Sequence, residues 1–354
     1  MTVFQNHKGT LILQESDIIN LINCKTTLDS FLRQLFSVME DGFRDFAKKQ
    51  IANPPRHEFY FDKGSVEAMS ASDNKYFSCK IVNTHKDNPV FYGLPTIIAN
   101  GILVDGETGY PLMVTGSTVL TALRTGVASA IATKYLSNKN DKSIGIIGNG
   151  AQSLPQLHAI SMVRNIENAY IYDTDEQASR SFKKSAENLF GRDLDIHIIK
   201  SPQDVCTHSD IIVTATCKDK YATPIVKNKW VSEGTHINAI GGDAPNKVEL
   251  EKSLIDRSKV IVDFIDQAVY EGESQQILQS QIHSDLAKIV AGLSKGRDNE
   301  KQITIFDSVG FAMEDLQVYK LVYEMAIKEN IGNMVNISSI PKYSKNIYKS
   351  YFDI

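Results

Sequence analysis

Hydrophobic positions along the chain follow two different rhythms, and the change falls near residue 140. Before it, an amphipathic helix pattern at 29–48 precedes short runs rich in β-branched and aromatic residues at 76–82 and 96–104. A glycine-containing turn sequence at 105–109 follows and predicts a hairpin. The first third of the chain therefore predicts an antiparallel sheet with a helix beside it.

A long helix pattern at 117–136 leads into the second rhythm, in which strand-length apolar runs alternate with helical stretches. Such alternation is typical of a parallel, doubly wound sheet with helices on both faces. A last strong helix pattern at 316–328 is expected to pack back onto the first region. The apolar runs lie at 143–147, 169–172, 196–199, 211–215, 236–240, 260–264 and 303–306.

These patterns predict an α/β protein with two domains, which suits a chain of 354 residues. One is a Rossmann-type doubly wound parallel sheet at about 131–319, expected to bind a nucleotide. The other is an α+β domain with an antiparallel sheet, expected to bind the substrate. We expect this second domain to be discontinuous, built from 1–130 and 320–354.

Composition and charge exclude several classes of function. A formal net charge of -4 argues against a nucleic-acid binder, which normally carries a basic excess. No apolar run is long enough to span a bilayer, and 1–10 lacks the apolar core of a secretory signal. The four cysteines are widely spaced and the eight histidines show no metal-ligand spacing. We expect a cytoplasmic protein with reduced thiols, no metal and no membrane partner.

The strand at 143–147 runs directly into a glycine-rich loop that carries the first chemical signal. Gly148 and Gly150 match the first two glycines of the G-x-G-x-x-G/A fingerprint, which allow a tight turn and close approach of the backbone to a pyrophosphate. A helix that starts here would direct its N–H groups at the phosphates. The third position is Ser153, which is small enough to preserve close helix–sheet packing.

Asp173 ends the next predicted strand, 25 residues after Gly148. The fingerprint has an acidic residue about 20 residues after the first glycine, where it binds the ribose hydroxyls. Because this carboxylate would repel a 2′-phosphate and no arginine stands beside it, we predict NAD(H) rather than NADP(H). The alternative is that Asp173 only caps the following helix.

Several ionisable residues lie among apolar or small neighbours, where charge is costly unless it is paired or used. Arg124, in a helix of small residues, could bind a carboxylate with its bidentate guanidinium or form a buried structural ion pair. Lys80 alternates with Phe77, Cys79 and Ile81, and taken alone it reads as a solvated lysine. Glu67 is ambiguous, and Arg56 in its loop is uninformative by itself.

Asp243 is the best candidate for an acid–base residue. It follows the strand at 236–240 and the pair Gly241–Gly242, at the strand end where parallel sheets bind ligands. The two glycines are expected to give the backbone conformational freedom and to leave the Asp243 carboxylate unshielded by neighbouring side chains. The segment 307–310 occupies a comparable strand end, from which it could close over a nicotinamide.

The motifs together resemble the ornithine cyclodeaminase/μ-crystallin family over about 50–335. The most specific are Arg124-Thr125 in the helix, the Gly-x-Gly-Ala-Gln loop and the Gly-Gly-Asp strand end. The runs at 238–250 and 306–315 resemble the bacterial ornithine cyclodeaminases in particular. One departure is the loop 244–246, which reads Ala-Pro-Asn here and lies beside the carboxylate without replacing it.

The resemblance implies a role for each matching residue. Asp243 would be the general base and would face the substrate amino groups with Glu67. Val309 would contact the substrate, and a homodimer would form through the antiparallel-sheet domain. The substrate carboxylate would be bound by Arg56, Lys80 and Arg124. NAD would be held by Thr96, Arg124, Gly148, Gly150, Ala151, Gln152, Asp173, Thr216, Ile237, Asn238, Ala239, Ile240, Lys247 and Ser308.

The function that the resemblance implies is conversion of L-ornithine to L-proline and ammonia with a recycled NAD. Three cations for one carboxylate and two carboxylates for two amino groups favour a diamino substrate. Within the same site, an amino-acid dehydrogenase, a ketimine or pyrroline-carboxylate reductase, or a related condensing synthase stays open. A dinucleotide-binding protein without catalysis, like some μ-crystallin-like members, is the alternative from another class.

Overall fold

The computed structural model describes residues 9–217, 219–339 and 341–352, and its strands form two sheets. The strands are β1 Thr10–Leu13, β2 His57–Phe61, β3 Gly64–Ser72, β4 Tyr76–Thr84, β5 Ile97–Asp105, β6 Pro111–Gly116, β7 Ser143–Ile147, β8 Asn168–Tyr172, β9 Asp195–Ile198, β10 Ile211–Thr214, β11 His236–Ala239, β12 Lys259–Val262, β13 Ser284–Asp285, β14 Thr304–Asp307 and β15 Asn333–Val335.

The helices cover the sheets and connect them. The α-helices are α1 Glu15–Lys25, α2 Leu28–Ala47, α3 Asn88–Phe91, α4 Thr118–Leu136, α5 Ser153–Ser161, α6 Glu176–Phe190, α7 Pro202–Thr207, α8 Lys252–Asp256, α9 Ile265–Ala268, α10 Leu286–Val290, α11 Ala312–Glu329 and α12 Ile347–Tyr351. Short 3₁₀ turns lie at Asn228–Trp230, Glu273–Gln276 and Gln279–Gln281. No helix in the described part of the chain is long and apolar enough to cross a membrane.

The parallel sheet confirms the predicted Rossmann-type architecture. Its eight strands are ordered β13-β12-β14-β11-β10-β7-β8-β9, and every recorded pairing is parallel. The order reverses direction at β7 and β10, and such a switch point opens a crevice at the carboxyl ends of the strands. The seven predicted apolar runs match β7 to β12 and β14 to within two residues, whereas the two-residue β13 was not predicted.

The second sheet has seven strands in the order β15-β1-β6-β5-β4-β3-β2. All its pairings are antiparallel except that of β1 with β6, so the predicted antiparallel sheet is mixed. Residues opposite one another share a face, so Glu58, Glu67 and Val82 point to one side together with Lys80 and Gly101. This inner face packs on α11, which begins four residues earlier than the sequence pattern predicts.

The inner face explains why Lys80 is not solvated. Phe77 and Ile81, two of the apolar residues of β4, are 38% and 46% exposed on the outer face. Lys80 is 1% exposed on the inner face. The alternation was read correctly, but burial was assigned to the wrong side because apolar residues usually mark the core. The reading of Lys80 as a solvated lysine is wrong.

Tyr319 of α11 fixes how closely the helix approaches the inner face. Its ring lies against Gly101 of β5 where a Cβ would otherwise stand, and its hydroxyl is 2.7 Å from Oγ of Ser117. Tyr319 is fully buried. A glycine is therefore needed at position 101 because the Tyr319 ring occupies the space of a Cβ, rather than because of the backbone conformation.

We predict that Gly101→Ala lowers the free energy of unfolding by about 1–3 kcal/mol, because the new methyl overpacks the contact with Tyr319. Urea unfolding measures this change. The double variant Gly101→Ala/Tyr319→Leu should lose less than the sum of the two single changes, since the smaller side chain leaves room for the methyl. Strict additivity would contradict this account.

Candidate functional site

A cavity lies between the inner face of the mixed sheet and the carboxyl ends of the parallel strands. It is bounded on one side by β3 and β4 and on the other by the loops that follow β11 and β14, with α4 along one wall. Its lining includes Arg56, Glu67, Lys80, Arg124, Gln152, Ile240, Asp243, Ser308 and Val309. The structure thus brings together every residue that the sequence assigned to substrate binding.

The glycine loop has the backbone that close approach of a phosphate requires. Gly148 has a φ of 97°, and a Cβ there would lie 2.5 Å from the carbonyl oxygen of Ala215. A Cβ on Gly150 would meet nothing within 4 Å, so this position opens onto free space. Ser153 begins α5 and its hydroxyl donates to the Gly150 carbonyl over 2.6 Å. The third fingerprint position therefore stabilises the loop.

Asp173 lies half-buried beside this loop, at the end of β8. Its Oδ2 accepts the backbone N–H of Asn149 over 2.7 Å. The cap of α6 is a different residue, Asp175, whose carboxylate accepts the N–H of Gln177. Asp173 is therefore not the helix cap, and it connects the acidic position of the fingerprint directly to the glycine loop.

Two buried cations form one wall of the cavity, and α11 supplies their partners. Nζ of Lys80 lies 2.9 Å from Oδ1 of Asp315, and Nη1 of Arg124 lies 2.6 Å from Oε2 of Glu314. Burial, together with the nearby charge of Arg124, lowers the pKa of Lys80 to about 8. Arg124 thus combines both sequence readings, since it forms a buried ion pair and also lines the cavity.

Arg56 is surrounded by three carboxylates. Its Nε lies 3.1 Å from Glu58, its Nη1 lies 2.9 Å from Glu67, and its Nη2 pairs closely with Glu271. Burial, and next a hydrogen bond with Glu58, raises the pKa of Glu271 to about 9. Because Nη2 also donates to the carbonyl of Val309, Arg56 positions the backbone of that residue.

Asp243 stands on the opposite wall from Lys80 and Arg124, in the loop after β11. Its Oδ1 is 2.6 Å from Nζ of Lys247, four residues on, so the expectation that no side chain shields it is wrong. The Asp243 side chain keeps 34% of its surface exposed. Burial raises the pKa of Glu67 across the cavity, and the charge of Asp243 adds to this rise. Two carboxylates therefore face the same space.

The four residues from β11 that were assigned to the cofactor do not all reach this cavity. Ile237 and Ala239 are buried in the apolar core of the parallel sheet. Asn238 is buried too, and its side-chain amide donates to Oγ1 of Thr133 over 3.0 Å. Ile240 alone of the four lines the cavity.

Other residues assigned to the cofactor lie on several separate loops. Ala151 is exposed on the glycine loop, and Oε1 of Gln152 is buried without a partner at the cavity. Thr96 lies half-buried before β5, where its carbonyl accepts the N–H of His85. Thr216 follows β10, and Ser308 donates its hydroxyl to Asp263 over 3.1 Å.

Sequence reasoning missed the acidic residues that hold the cations. Glu314 and Asp315 are adjacent on α11, both almost fully buried. Two neighbouring acidic residues in the first turn of a helix, directly after the apolar Phe311–Met313, were the available signal, because charges are rarely buried without a partner. Glu58 and Glu271 gave no comparable signal, since they come from an exposed-looking strand and an irregular loop. No group of three potential metal ligands occurs among the described residues.

A model of the ornithine cyclodeaminase/mu-crystallin family matches residues 19–330. The chain belongs to this family. One member, ornithine cyclodeaminase of Brucella suis biovar 1, is 36% identical over 321 residues, which is 91% of this chain and 88% of the relative. The resemblance reported for the sequence motifs is thereby confirmed for the family.

Two solved structures of the family carry different activities. An archaeal alanine dehydrogenase, described as a dimer with bound NAD, shares 37% identity and a TM-score of 0.84 over 93% of this chain and 99% of its own. Thermococcus litoralis Δ1-pyrroline-2-carboxylate reductase, in complex with NADH and L-proline, shares 34% identity and a TM-score of 0.85 over 92% and 100%. The family is therefore shown, whereas similarity does not single out ornithine cyclodeaminase.

We predict that binding of L-proline, measured by calorimetry with NADH present, weakens as the pH rises through about 8. Below that pH Lys80 is protonated and would attract the ligand carboxylate. Above it the positive charge is lost, and the affinity should fall by up to about tenfold per pH unit. Lys80→Met should bind more weakly and without this inflection. A wild-type affinity that stays constant to pH 9.5 would contradict the role of Lys80.

Proposed function

We propose that this protein is an ornithine cyclodeaminase, converting L-ornithine to L-proline and ammonia with an NAD that is restored in each cycle. The observation that carries the proposal is the pair of carboxylates, Glu67 and Asp243, which line the same cavity as Lys80 and Arg124. An amino acid with a single ammonium group would need only one of them.

The charge around the cavity supports a substrate with a net positive charge. Lys80 and Arg124 are each paired from behind with a carboxylate of α11, and Arg56 is already surrounded by carboxylates. The cations are thus offset before any ligand arrives, and the carboxylates Glu67 and Asp243, in contact with Arg56 and Lys247, face the same cavity. L-Ornithine brings one carboxylate and two ammonium groups, which matches this balance better than neutral L-alanine.

The residues around the glycine loop fit NAD. Gly148 and Gly150 leave room for a pyrophosphate, and the N–H groups that begin α5 would face it. Asp173 would hold the ribose hydroxyls, which favours NAD over NADP. Gln152, with a buried oxygen that has no partner, would reach the dinucleotide beside Thr216 and Ser308. Bound NAD would supply reversible hydride transfer at Cα of the amino acid.

The chain's own residues would bind and orient the substrate. Lys80 and Arg124 would receive the α-carboxylate, and Glu67 the α-amino group. Cyclisation needs a neutral side-chain amine, because an ammonium has no lone pair with which to attack Cα. Asp243 would accept that proton, and its exposed surface would pass it to solvent. Lys247, bound to Oδ1 of Asp243, would keep the second oxygen directed at the amine.

A second candidate is an NAD-dependent dehydrogenase or reductase acting on a monoamino acid or a cyclic imine. The contact between Glu67 and Arg56 favours this candidate, since a Glu67 held by Arg56 would leave Asp243 to meet a single ammonium group. A dinucleotide-binding protein without catalysis would retain the crevice with no need for the paired carboxylates.

We also propose that the protein is a homodimer joined through the outer face of the mixed sheet. Phe59, Phe77 and Ile81 share that face and are between 38% and 62% exposed. Contiguous apolar surface of this kind is typical of subunit contacts. The archaeal relative with bound NAD is a dimer.

Mass spectrometry of the products of L-ornithine with substoichiometric NAD tests the proposed activity. We expect L-proline and ammonia in molar excess over NAD, because the cofactor returns to its starting state. The same assay with L-lysine and L-alanine supplies the comparison. An absence of products from the diamino acids, with NADH formed from L-alanine or consumed by a cyclic imine, would favour the second candidate.

We predict that Asp243→Asn reduces turnover of L-ornithine at least a hundredfold while NADH binding stays within a few fold. The amide has nearly the same shape as the carboxylate but cannot accept a proton at neutral pH. Fluorescence titration with NADH verifies that the crevice is intact. An active Asp243→Asn protein would remove this residue from the role of base.

A further inference from the structure

Three buried carboxylates outside the cavity form a chain that leads to the loop carrying Asp243. We call Asp307, Glu273 and Glu249 the carboxylate relay. The three side chains are at most 1% exposed. Each accepts backbone N–H groups of the segment that carries the next member, so the relay connects the end of β14 with the loops after β10 and β11.

The hydrogen bonds run in one direction. Asp307 accepts the N–H groups of Glu273 and Ser274 over 2.9 and 2.7 Å. Glu273 accepts the N–H groups of Glu249 and Leu250 over 2.6 and 3.0 Å. The sequence reading placed 307–310 over the nicotinamide, whereas the Asp307 carboxylate points away from the cavity to this loop.

Glu249 is the end of the relay and bridges two loops that face the cavity. Its Oε1 accepts the N–H of Thr216 over 2.8 Å and also the Thr216 hydroxyl. Its Oε2 accepts the N–H of Gly241 over 3.0 Å. Gly241 is two residues before Asp243. One carboxylate therefore ties the loop of the proposed base to the loop expected to hold the cofactor.

The glycines before Asp243 make room for this bridge. A Cβ on Gly241 would lie 2.5 Å from Oε1 of Glu249, and a Cβ on Gly242 would lie 3.2 Å from Oε1 of Glu273. Neither glycine has a positive φ. The requirement at these positions is thus space for a carboxylate, rather than the backbone freedom that the sequence pattern suggested.

We propose that Glu249 is a positioning residue that fixes Asp243 and Thr216 relative to each other, itself held by Glu273 and Asp307. Among the described residues, Lys247 is the one side-chain partner within hydrogen-bonding distance of Asp243, so the placement of Asp243 depends on the backbone of its loop. A small displacement of a catalytic group lowers the rate strongly. This role rests on the proposed function of Asp243, whereas the tether itself does not.

The test compares Glu249→Gln with the matched control Glu251→Gln. A glutamine at 249 has one acceptor oxygen, so its NH₂ must face either Gly241 or Thr216 and one tether is lost. Glu251 lies two residues along, is half-buried and also accepts one backbone N–H, that of Asn228 over 2.7 Å, but faces away from the cavity.

We expect Glu249→Gln to lower kcat for L-ornithine at least tenfold while KM stays within threefold, because Lys80 and Arg124 are outside the relay. Amide hydrogen exchange at 241–243 should accelerate at least tenfold, with exchange in β7 and β11 unchanged. Glu251→Gln should match the wild type in all three. If kcat or the exchange at 241–243 stays within twofold of wild type, or if exchange rises equally in the core strands, the proposal is overturned.

Two further measurements keep the test decisive. If Glu249→Gln does not fold, Gly241→Ala takes its place, since the new Cβ displaces the Glu249 carboxylate and should give the same split. If the wild type converts no amino acid, the proposed function fails, and the tether is judged by hydrogen exchange and by NADH titration. In that case we expect the affinity of the variant for NADH to fall at least threefold, because Thr216 has lost its bond to Glu249. Unchanged exchange and affinity would overturn the tether.

Discussion

The structure depends on one constraint, which is that a charge buried between the two sheets needs a partner of opposite charge. Removing an ion from water costs several kcal/mol, and the cost is recovered only with a close and well-bonded counterion. Lys80 and Arg124 meet this requirement through α11, and Arg56 meets it through Glu58, while its contact with Glu271 reaches the parallel-sheet half. The same ion pairs that make the cavity possible therefore fix how the two sheets face each other.

That constraint also shapes the chemistry. The cations present their charge to the cavity with their positions already determined, so the proposed binding of a carboxylate would need little reorganisation. The opposite wall is different, because Asp243 lies on a loop and keeps part of its surface exposed. In the proposed reaction, a rigid wall that binds the carboxylate would thus face a wall through which a proton leaves.

The sequence was sufficient to predict the helices and strands whose hydrophobic residues recur with a strong period. The parallel strands were predicted because buried strands are continuous apolar runs, and the glycine loop because its position between β7 and α5 is diagnostic. Lys80 and the buried carboxylates could not be placed in the same way. Their burial depends on which side α11 covers, and that side is set by contacts between residues more than 200 positions apart. Likewise, the sequence suggested that Gly241 provides backbone freedom. The structure shows that this position needs a glycine because the Glu249 carboxylate lies where a Cβ would be.

Strand β4 presents its two rows of side chains to two different environments. Lys80 points into the cavity, while Cys79 and Ile81, its immediate neighbours in the chain, point to the outer surface. A single layer of backbone therefore separates the recognition wall from whatever touches the outside of the sheet. Pressure on that outer surface would change the twist of the strand and tilt Lys80 directly, with no intervening chain of residues. In this fold, a proposed subunit contact and the proposed site of the substrate carboxylate would be coupled across the backbone of the single strand β4.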